Sequence, residues 1–554
     1  MAGLRRHVWR VLVAPNLERA AAAVREAGAD AVRAAVSCLR DDDPAGAIGA
    51  LDAGRGLALF AATEVRSVPE RLEEAGEPEL ARRWRDAAVT GDPEQVPRTL
   101  RRAVFHRLVE HSPTGSLLEP PSLPDIRHAL RDLDADALVY LMPGEGHVPG
   151  YAIAAAAAGS GAGMSYFALP LLTVDNDRDV ERYLTALTRR DAAALRGLAR
   201  EFDREFDADA DDPGSGAAPD TDDSALAASL DAVCDWAWYA AMGPLIESYL
   251  PRLPAPAADR PRRVVLVPMG DLARIPWPAA RRPDRTYAVQ LVAISQAASA
   301  RMLCLSARRP AVPPSPVGLV VGDPDTTDPA TGQTRAVELA AARLEAFVVR
   351  ETFYPGARYV GRLPNGRPSR SGPGSARQVR DWLTATSSGA GTFLQLACHG
   401  VLEPGAAHAS SYLLLAGGER LSAEELIEHM ARAPGGRGIG LVVLAACRTG
   451  LSISGYDEAY SLGTAFLAGG ADTVLSTQWS VPDDATSVLM FMFHHYLRAE
   501  GRPAWAALHA AQNWMLDPRA DVPATMPDPL RRRLGTAAGR ADVTAWAAFV
   551  HWGR

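Results

Sequence analysis

The sequence predicts an α/β fold in which helices cover both faces of a mostly parallel sheet, preceded by a short α-helical segment. Two observations lead to this prediction. From about residue 125 onward, short apolar runs rich in Val, Leu and Ile alternate with stretches whose apolar residues recur at helical spacing, and strands that alternate with helices form parallel sheets. Before residue 113, the apolar residues recur at helical spacing only.

The predicted elements divide the chain of 554 residues into three parts. Residues 1–112 are helical and contain one helix pair of the size found in helical repeats, whereas a solenoid needs about three such units. Residues 113–124, SPTGSLLEPPSL, have the composition of a linker. The two α/β parts, 125–310 and 316–554, contain in order strand 137–142, the hairpin 151–174, helices 177–209 and 225–251, strands in RVVLVPMG and QLVAIS, strand VGLVVG, helix 336–353, strand ARYVG, helix 376–387, strands 392–398 and 411–416, helix 422–432, strand 439–446, helix 459–469, strand 472–477, and helices 483–499 and 503–516.

Three stretches are assigned by composition. Residues 151–174 carry no charge, but Gly-Ser-Gly interrupts the run and alanine dominates it, so strand, turn and strand are favoured over a membrane helix. Residues 207–224 are acidic and rich in Gly and Pro, which predicts a disordered loop. Residues 361–375, GRLPNGRPSRSGPGS, are also predicted as a loop. Both loops are candidate positions for self-cleavage, because exposed segments with little structure are readily cut.

The overall composition excludes several classes of protein. The net charge of −8 gives no electrostatic basis for binding nucleic acid. The chain has no lysine, which excludes a Walker-type phosphate loop, a Schiff-base enzyme and a pyridoxal-phosphate site. Its five cysteines are scattered without a CxxC pair, and the N-terminus lacks an apolar signal region. We therefore expect a cytoplasmic protein that binds no membrane, uses no cofactor and holds no metal.

A histidine and a cysteine follow two of the predicted strands. TFLQLACHG ends on His399 and Gly400, and the apolar run in GLVVLAACRTG stops at Cys447. If these strands are parallel neighbours, both side chains emerge at the same edge of the sheet, where the reactive groups of such sheets lie. A thiolate can attack a carbonyl carbon, and an imidazole can pass a proton to the leaving amine. The pattern thus predicts a Cys–His dyad, and Gly400 leaves room for a substrate and frees its N–H for an oxyanion.

These residues also have structural interpretations. A lone histidine at a strand end is usually structural, and a lone buried cysteine usually acts as a small hydrophobe. A metal site made of Cys398, His399 and Cys447 is disfavoured because neighbouring strand residues point to opposite faces, so Cys398 is expected to pack in the core. His494 and His495 lie among aromatic residues on a predicted helix, which indicates a half-buried helix face. Three aromatic residues are expected in the core of the first α/β part: Trp236, Trp238 and Tyr239.

Several segments together resemble one known family. The resemblance to the CHAT domain, a caspase-like module related to separase and usually attached to tetratricopeptide repeats (TPR), is carried in order by LQLACHG, YLLLAGGERLSAEEL, LVVLAACRTG, GYDEAYSLGTAFLAGGADTVLSTQWSVPDDAT, AALHAAQNWM and WAAFVHWG. The upstream segments AIGALDAGRGLAL and RVVLVPMGDLARIPWPAA are also similar to the family. The resemblance therefore extends over roughly residues 45–554 and is strongest over 390–483.

The resemblance implies a cysteine endopeptidase on a caspase-hemoglobinase fold. His399 matches the family's general acid/base and Cys447 its nucleophile, while the backbone N–H groups of Gly400 and Cys447 match its oxyanion hole. The resemblance also implies that 125–310 is a catalytically dead, pseudo-caspase half packed against the active half, 316–554. The family often has glutamate after the cysteine, where this chain has Arg448; a cation beside the thiol favours the thiolate.

Three residues are candidates for the S1 pocket, which selects the substrate's P1 side chain. Trp479 follows strand 472–477 and is expected to line a wall, and Asp483 or Asp457 is expected to supply a carboxylate. Such a carboxylate favours arginine, which it binds through two hydrogen bonds, and disfavours aspartate. The competing interpretation is that Asp483 or Asp484 caps the helix that follows.

Two other functions remain open. An inert CHAT scaffold would bind protein partners and cleave nothing, although both dyad residues are present. A helical adaptor would place the function in residues 1–112, and the shortness of this helical segment disfavours that interpretation. Because this segment cannot form a long concave surface alone, we expect it to dock on the α/β core or on a regulatory partner's helical array. By family analogy, the expected role is cleavage of one protein effector in a prokaryotic conflict or cell-death pathway.

Overall fold

The computed structural model describes most of the chain. It describes residues 7, 17–55, 72–73, 75–88, 97–111, 120–158, 164–174, 177–203, 219–256, 260–385, 388–402, 411–431, 438–445, 461–479, 483–535 and 537–554. Across these ranges, every helix is too short or too polar to cross a lipid bilayer.

One large sheet runs through both predicted α/β parts. The strands are β1 (Ala137–Met142), β2 (Gly150–Ala156), β3 (Met164–Leu169), β4 (Arg263–Pro268), β5 (Ala293–Gln296), β6 (Gly318–Gly322), β7 (Arg358–Gly361), β8 (Phe393–Ala397), β9 (His399–Leu402), β10 (Ser411–Leu414), β11 (Arg420–Ser422), β12 (Ile439–Leu444), β13 (Ala471–Thr477) and β14 (Phe549–Gly553). The large sheet has 11 strands in the order β3-β2-β1-β4-β5-β14-β13-β12-β8-β6-β7, and a second sheet has three, in the order β11-β10-β9.

The large sheet consists of two blocks of strands that run in opposite directions. In the first block, β1, β4 and β5 are parallel, and the antiparallel hairpin β2–β3 forms its edge, as predicted for 151–174. In the second block, β13, β12, β8, β6 and β7 are all parallel. Strand β14 joins the blocks, because it pairs in parallel with β5 and antiparallel with β13.

Helices cover the large sheet, which confirms the predicted α/β fold class. The helices are α1 (Leu17–Arg40), α2 (Pro44–Gly54), α3 (Pro78–Ala88), α4 (Arg98–His111), α5 (Leu123–Asp132), α6 (Arg178–Asp203), α7 (Pro219–Ala237), α8 (Ala300–Arg308), α9 (Ala340–Phe353), α10 (Ala376–Leu383), α11 (Ala423–Ala431), α12 (Leu462–Ala468), α13 (Asp483–His494), α14 (Ala504–Leu516), α15 (Asp528–Arg531), α16 (Ala537–Arg540) and α17 (Val543–Trp546). Successive residues of β8 enter different cores. Phe393 shares one with α9 and α13, and Leu394 shares the other with α10, α11 and α12, as the two-residue period of a strand requires.

The first helix pair, α1–α2, packs on the first block of the sheet. Ile48 and Leu51 share a core with Leu138 of β1. Asp52 is 1% exposed, and its carboxylate accepts hydrogen bonds from the Tyr140 hydroxyl at 2.9 Å and from the backbone N–H of Arg301 at 3.2 Å. A buried carboxylate is tolerated only with such partners. The pair therefore docks on the α/β core, one of the two placements expected for the N-terminal segment.

The loop predicted over 361–375 is confirmed, since β7 ends at Gly361 and α10 begins at Ala376, but hydrogen bonds within the loop order its backbone. The Gly361 N–H donates to the Gly372 carbonyl at 3.0 Å, the Ser369 N–H to the Gly361 carbonyl at 2.8 Å, and the Leu363 N–H to the Arg367 carbonyl at 2.8 Å. Gly361 and Gly372 have positive φ values of 101° and 129°, so the glycines serve tight turns rather than flexibility. A hydrogen-bonded loop is a poorer candidate for self-cleavage.

The acidic stretch also differs from its prediction where it is described. Helix α7 begins at Pro219, so the C-terminal end of 207–224 is helical, and residues 204–218 lie outside the described part of the chain. The predicted helix 225–251 ends as α7 at Ala237 and continues in two wide helical turns, Trp238–Met242 and Pro244–Tyr249. Proline at the first position of a helix is favourable, because its missing N–H would have no helical partner.

His494 is fully buried in an aromatic core, and this burial predicts a pH dependence of stability. Its Nδ1 lies 3.0 Å from the Tyr354 hydroxyl, and its ring contacts Phe393 and Phe493. Burial, reinforced by the nearby Arg498 cation, lowers the pKa of His494 from 6.5 to about 3. The unfolded chain therefore binds a proton below pH 6.5 that the folded chain excludes, and stability is lost as the pH falls from about 6.5 toward 3.

We expect this single histidine to remove about 1.6 kcal/mol of stability between pH 6.5 and pH 5. The measurement is denaturant unfolding of the wild type and of His494→Gln at both pH values. The variant loses ring packing at every pH, so only the difference between the two pH values is compared. The variant should show a smaller loss on acidification; an equal loss in both proteins contradicts the prediction.

Candidate active site

Three parallel strands bring their carboxyl ends to one edge of the large sheet. Strand β8 lies between β12 and β6, and its Leu396 pairs with Leu444 on one side and with Val321 on the other. The chain leaves this edge at Asp323 after β6, at Cys398 after β8 and at Ala445 after β12. The strands that precede His399 and Cys447 are therefore parallel neighbours, which is the relation that the predicted dyad requires.

His399 is partly exposed at this edge and begins β9. Its Nε2 lies 2.8 Å from the carbonyl oxygen of Val337. A carbonyl oxygen can only accept a hydrogen bond, so Nε2 carries the proton of the neutral ring and the Nδ1 lone pair remains available. The imidazole can therefore take up a proton at Nδ1 without giving up the hydrogen bond that orients it.

A small apolar cluster joins the three-stranded sheet to the segment that carries Val337. Val401 of β9 and Tyr412 and Leu414 of β10 are buried together with Ala336. Gly400, the candidate oxyanion donor, lies in β9 opposite Leu413 of β10. The contacts of this cluster keep the start of β9, with His399 and Gly400, next to residues 336–337.

Several predicted site residues lie outside the described part of the chain or are described only in part. Cys447, Arg448 and Asp457 fall in the undescribed stretch 446–460. Asp483 is the first residue of α13, and its side chain is not described. The roles of these residues therefore stay predictions, and both interpretations of Asp483, pocket carboxylate and helix cap, remain.

Trp479 is described, and its ring is fully buried. Its indole N–H donates to the Thr544 carbonyl at 3.2 Å, and the side chain belongs to the main core with Leu475 and Phe549. In this conformation the ring presents no surface to a substrate. Its assignment to the S1 wall stays a prediction.

The other residues weighed from the sequence are structural where they are described. Cys398 is fully buried on the same face of β8 as Leu394, as its strand position predicts. His494 is buried, and His495 lies 3.6 Å from Glu500 with a largely buried side chain. Of the three aromatic residues expected in the core, Trp236 and Trp238 are buried, whereas Tyr239 is 56% exposed.

Two residues that bear on His399 were not singled out from the sequence. The Val337 carbonyl contacts the imidazole, and Asp323 lies at the carboxyl end of β6 with a positive φ of 42°. A backbone carbonyl has no sequence signature. Asp323 has a weak one, because an aspartate directly after a buried strand lies at the edge where the reactive groups of a parallel sheet gather.

Comparisons with known structures found similarity to the separase–securin complex of Saccharomyces cerevisiae. In its crystal structure at 3.0 Å resolution, a chain matches with a TM-score of 0.39 and 9% identity, over 90% of this chain and 37% of that one. In the structure at 2.6 Å resolution, the TM-score is 0.39 and the identity 10%, over 93% and 38%. This chain thus spans less than two-fifths of the matched chains. No curated protein sequence matches it.

The model of the CHAT domain matches residues 231–554, more than half of the 554 residues. The match begins within α7 and runs to the end of β14, so it includes the edge that carries His399 and the strand that joins the two blocks. With this extent of match, and with the segments that resemble the family in the expected order, the chain belongs to the CHAT domain family.

Proposed function

We propose that this chain is a cysteine endopeptidase of the CHAT group that cleaves a protein substrate with Cys447 as nucleophile and His399 as general acid/base. One observation carries the proposal most. Strands β8 and β12 are parallel neighbours, with Leu396 opposite Leu444, so His399 and the segment that contains Cys447 leave the sheet at the same edge. The hydrogen bond from His399 Nε2 to the Val337 carbonyl supports it further, because that bond leaves Nδ1 available for a proton.

In the proposed reaction, the Cys447 sulfur attacks the carbonyl carbon of the scissile peptide bond as a thiolate. The carbonyl electrons move onto oxygen, and the backbone N–H groups of Gly400 and Cys447 stabilise the oxyanion. Collapse of this intermediate breaks the C–N bond, and the imidazolium of His399 protonates the leaving amine. Water, deprotonated by the neutral imidazole, then hydrolyses the thioester and regenerates the thiol.

The proposal also assigns roles to the other parts of the chain. Residues 125–310 are the inactive pseudo-caspase half, and 316–554 are the active half. Residues 1–112 are the residual TPR-like segment through which a protein partner regulates activity, and the docked α1–α2 pair gives such a partner a direct connection to the sheet. The conflict or cell-death role rests on the analogy with the family alone.

The proposed P1 preference is for a basic residue. A carboxylate of Asp457 or Asp483 in the S1 pocket would pair with an arginine side chain and repel an aspartate. Loss of such a buried ion-pair partner costs at least about tenfold in turnover of arginine substrates.

An inert scaffold is the alternative, and a labelling experiment separates the two. The full chain is treated with peptidyl acyloxymethyl ketones that carry Arg or Asp at P1, with and without cell extract as a source of an activating partner. For a peptidase we expect a thioether on Cys447, located by mass spectrometry and absent in Cys447→Ala. No label on Cys447 under either condition would favour the scaffold.

Fluorogenic peptides that differ only at P1 test the pocket in the same preparation. We expect faster turnover with Arg than with Asp, and a loss of Arg turnover in Asp457→Ala or Asp483→Ala. Preferential Asp turnover, or Arg turnover unchanged in both variants, contradicts the assignment of the pocket while leaving the dyad untouched.

A further inference from the structure

The segment that orients His399 is itself held by one short turn. Residues 336–339 carry the Val337 carbonyl that accepts the His399 Nε2–H. The turn at 323–326, which follows β6, bonds this segment on both sides of Val337. Before Val337, the Thr326 hydroxyl donates to the Ala336 carbonyl at 3.2 Å and accepts from the Ala336 N–H at 3.1 Å. After Val337, the Oδ1 of Asp323 accepts a hydrogen bond from the Leu339 N–H at 3.0 Å.

Asp323 also contacts the strand that delivers the histidine. Its backbone N–H donates to the carbonyl of Ala397, the last residue of β8, at 2.7 Å. His399 follows two residues later. Both the chain that bears the imidazole and the chain that bears its orienting carbonyl are therefore hydrogen-bonded to the same aspartate.

Two arginines fix the aspartate in turn. Asp323 is 1% exposed, and its Oδ2 lies 2.9 Å from Arg362 and 3.3 Å from Arg343. Arg362 also donates to the Asp323 carbonyl at 3.0 Å. The same two arginines reach Glu338, at 2.8 and 3.1 Å, so they bind the segment beside Val337 as well. Buried charges persist only when they are paired in this way.

The backbone of Asp323 adds a further constraint. Its φ of 42° lies in the left-handed region, where residues other than glycine are uncommon and are held only if the surroundings determine the conformation. A residue of this kind next to a candidate catalytic group points to positioning rather than to packing alone, because an apolar contact would not require the strained conformation.

We infer that Asp323 and Thr326 are positioning residues that set the distance and orientation of the Val337 carbonyl relative to His399, and so fix the Nε2–H tautomer of the ring. The inference rests on the proposed function insofar as it concerns turnover, but the tautomer itself is a property of the folded chain. Misplacing a catalytic group by about 1 Å can lower the rate about 100-fold.

Asp323→Gly removes the carboxylate and suits a positive φ. Asp323→Asn tolerates the same conformation and keeps the Oδ1 acceptor for Leu339, but it turns an uncharged amide NH2 toward Arg343 and Arg362. Thr326→Val removes both hydroxyl hydrogen bonds at nearly constant shape, and Thr326→Ser keeps them. Thr334→Val, which removes an exposed hydroxyl that pairs with Thr327 at 3.0 Å, is the matched control.

The tautomer is read from nitrogen-15 chemical shifts of the full chain labelled in histidine, with the His399 signals identified by their absence in His399→Gln. In the wild type at a pH where the ring is neutral, we expect protonated Nε2 and unprotonated Nδ1. Asp323→Gly and Thr326→Val should mix the two tautomers and lower kcat about 10–100-fold with little change in KM. The Thr326→Ser and Thr334→Val variants should resemble the wild type in both measurements, and Asp323→Asn should fall between the wild type and Asp323→Gly.

The outcomes separate this inference from the proposed function. A wild-type ring protonated on Nδ1, or wild-type shifts and kcat in both Asp323→Gly and Thr326→Val, overturns the inference, and Cys447-dependent cleavage would still stand. Altered tautomers in a chain that cleaves no peptide support the inference and count against the peptidase. If one variant does not fold, thermal unfolding shows this, and the other variant together with the wild-type spectrum decides.

Discussion

Cys447→Ala is expected to abolish peptide cleavage, with a fall in kcat of at least about 10⁴-fold, because no other group at the proposed site can form the thioester. His399→Ala should cost a similar factor, since the thiol then loses its proton acceptor and the leaving amine its donor. The double variant should be no worse than either single one, as expected for residues that act as a unit. The measurement is turnover of the preferred fluorogenic peptide under activating conditions.

Cys398→Ala is the matched control, because it removes a thiol adjacent to the histidine. Cys398 is fully buried among apolar side chains of the second block. Its loss should cost about 1 kcal/mol of stability through a small cavity and leave most of the activity. If Cys398→Ala ends turnover and Cys447→Ala spares it, the nucleophile has been assigned wrongly.

Trp552→Ala is expected to give a large loss of stability, about 3–5 kcal/mol, because it empties a buried site at the junction of the two blocks. Trp552 lies in β14 opposite Gln296 of β5 and opposite Val474 of β13. Its ring is 4% exposed, and its indole N–H donates to the Ser476 hydroxyl at 2.9 Å. The strand that carries it is the only connection between the blocks in the order of the described strands.

Denaturant unfolding followed by tryptophan fluorescence and by circular dichroism measures this loss. We expect both probes to move together in the wild type, since one sheet includes both blocks. Trp552→Phe keeps most of the apolar volume and loses the hydrogen bond, so it should cost only about 1–2 kcal/mol. Equal losses in the two variants, or a loss below 1 kcal/mol in Trp552→Ala, would mean that β14 does not couple the blocks as its position indicates.

The sequence predicted two strands of the second block closely, because a fully buried strand is made mostly of apolar residues. The strand expected at 392–398 is observed as Phe393–Ala397, and that expected at 439–446 as Ile439–Leu444. Composition was less informative where glycine and proline gather. In 361–375 these residues form hydrogen-bonded turns. A disordered loop could have the same composition, so composition alone does not distinguish the two.

The candidate dyad was predictable in part. Each residue's position after a strand follows from local hydrophobicity, and the neighbour relation of β8 and β12 was an assumption that the sheet order confirms. The exposure of Tyr239 and the burial of the Trp479 ring were not predictable, because a single aromatic residue at a helix or strand end fits a core and a surface equally well.

By itself, the sequence determined the α/β class, the resemblance to the CHAT family and the choice of His399 and Cys447, since these depend on local spacing and residue type. Only the tertiary structure decided that β14 joins two opposed blocks, that α1–α2 docks through Asp52, and that Asp323 links β8 to the segment that carries the Val337 carbonyl. These contacts join residues far apart in the chain through backbone groups and buried charges. Backbone N–H and carbonyl groups are the same at nearly every position, so the pattern of side chains does not predict which backbone groups will contact each other.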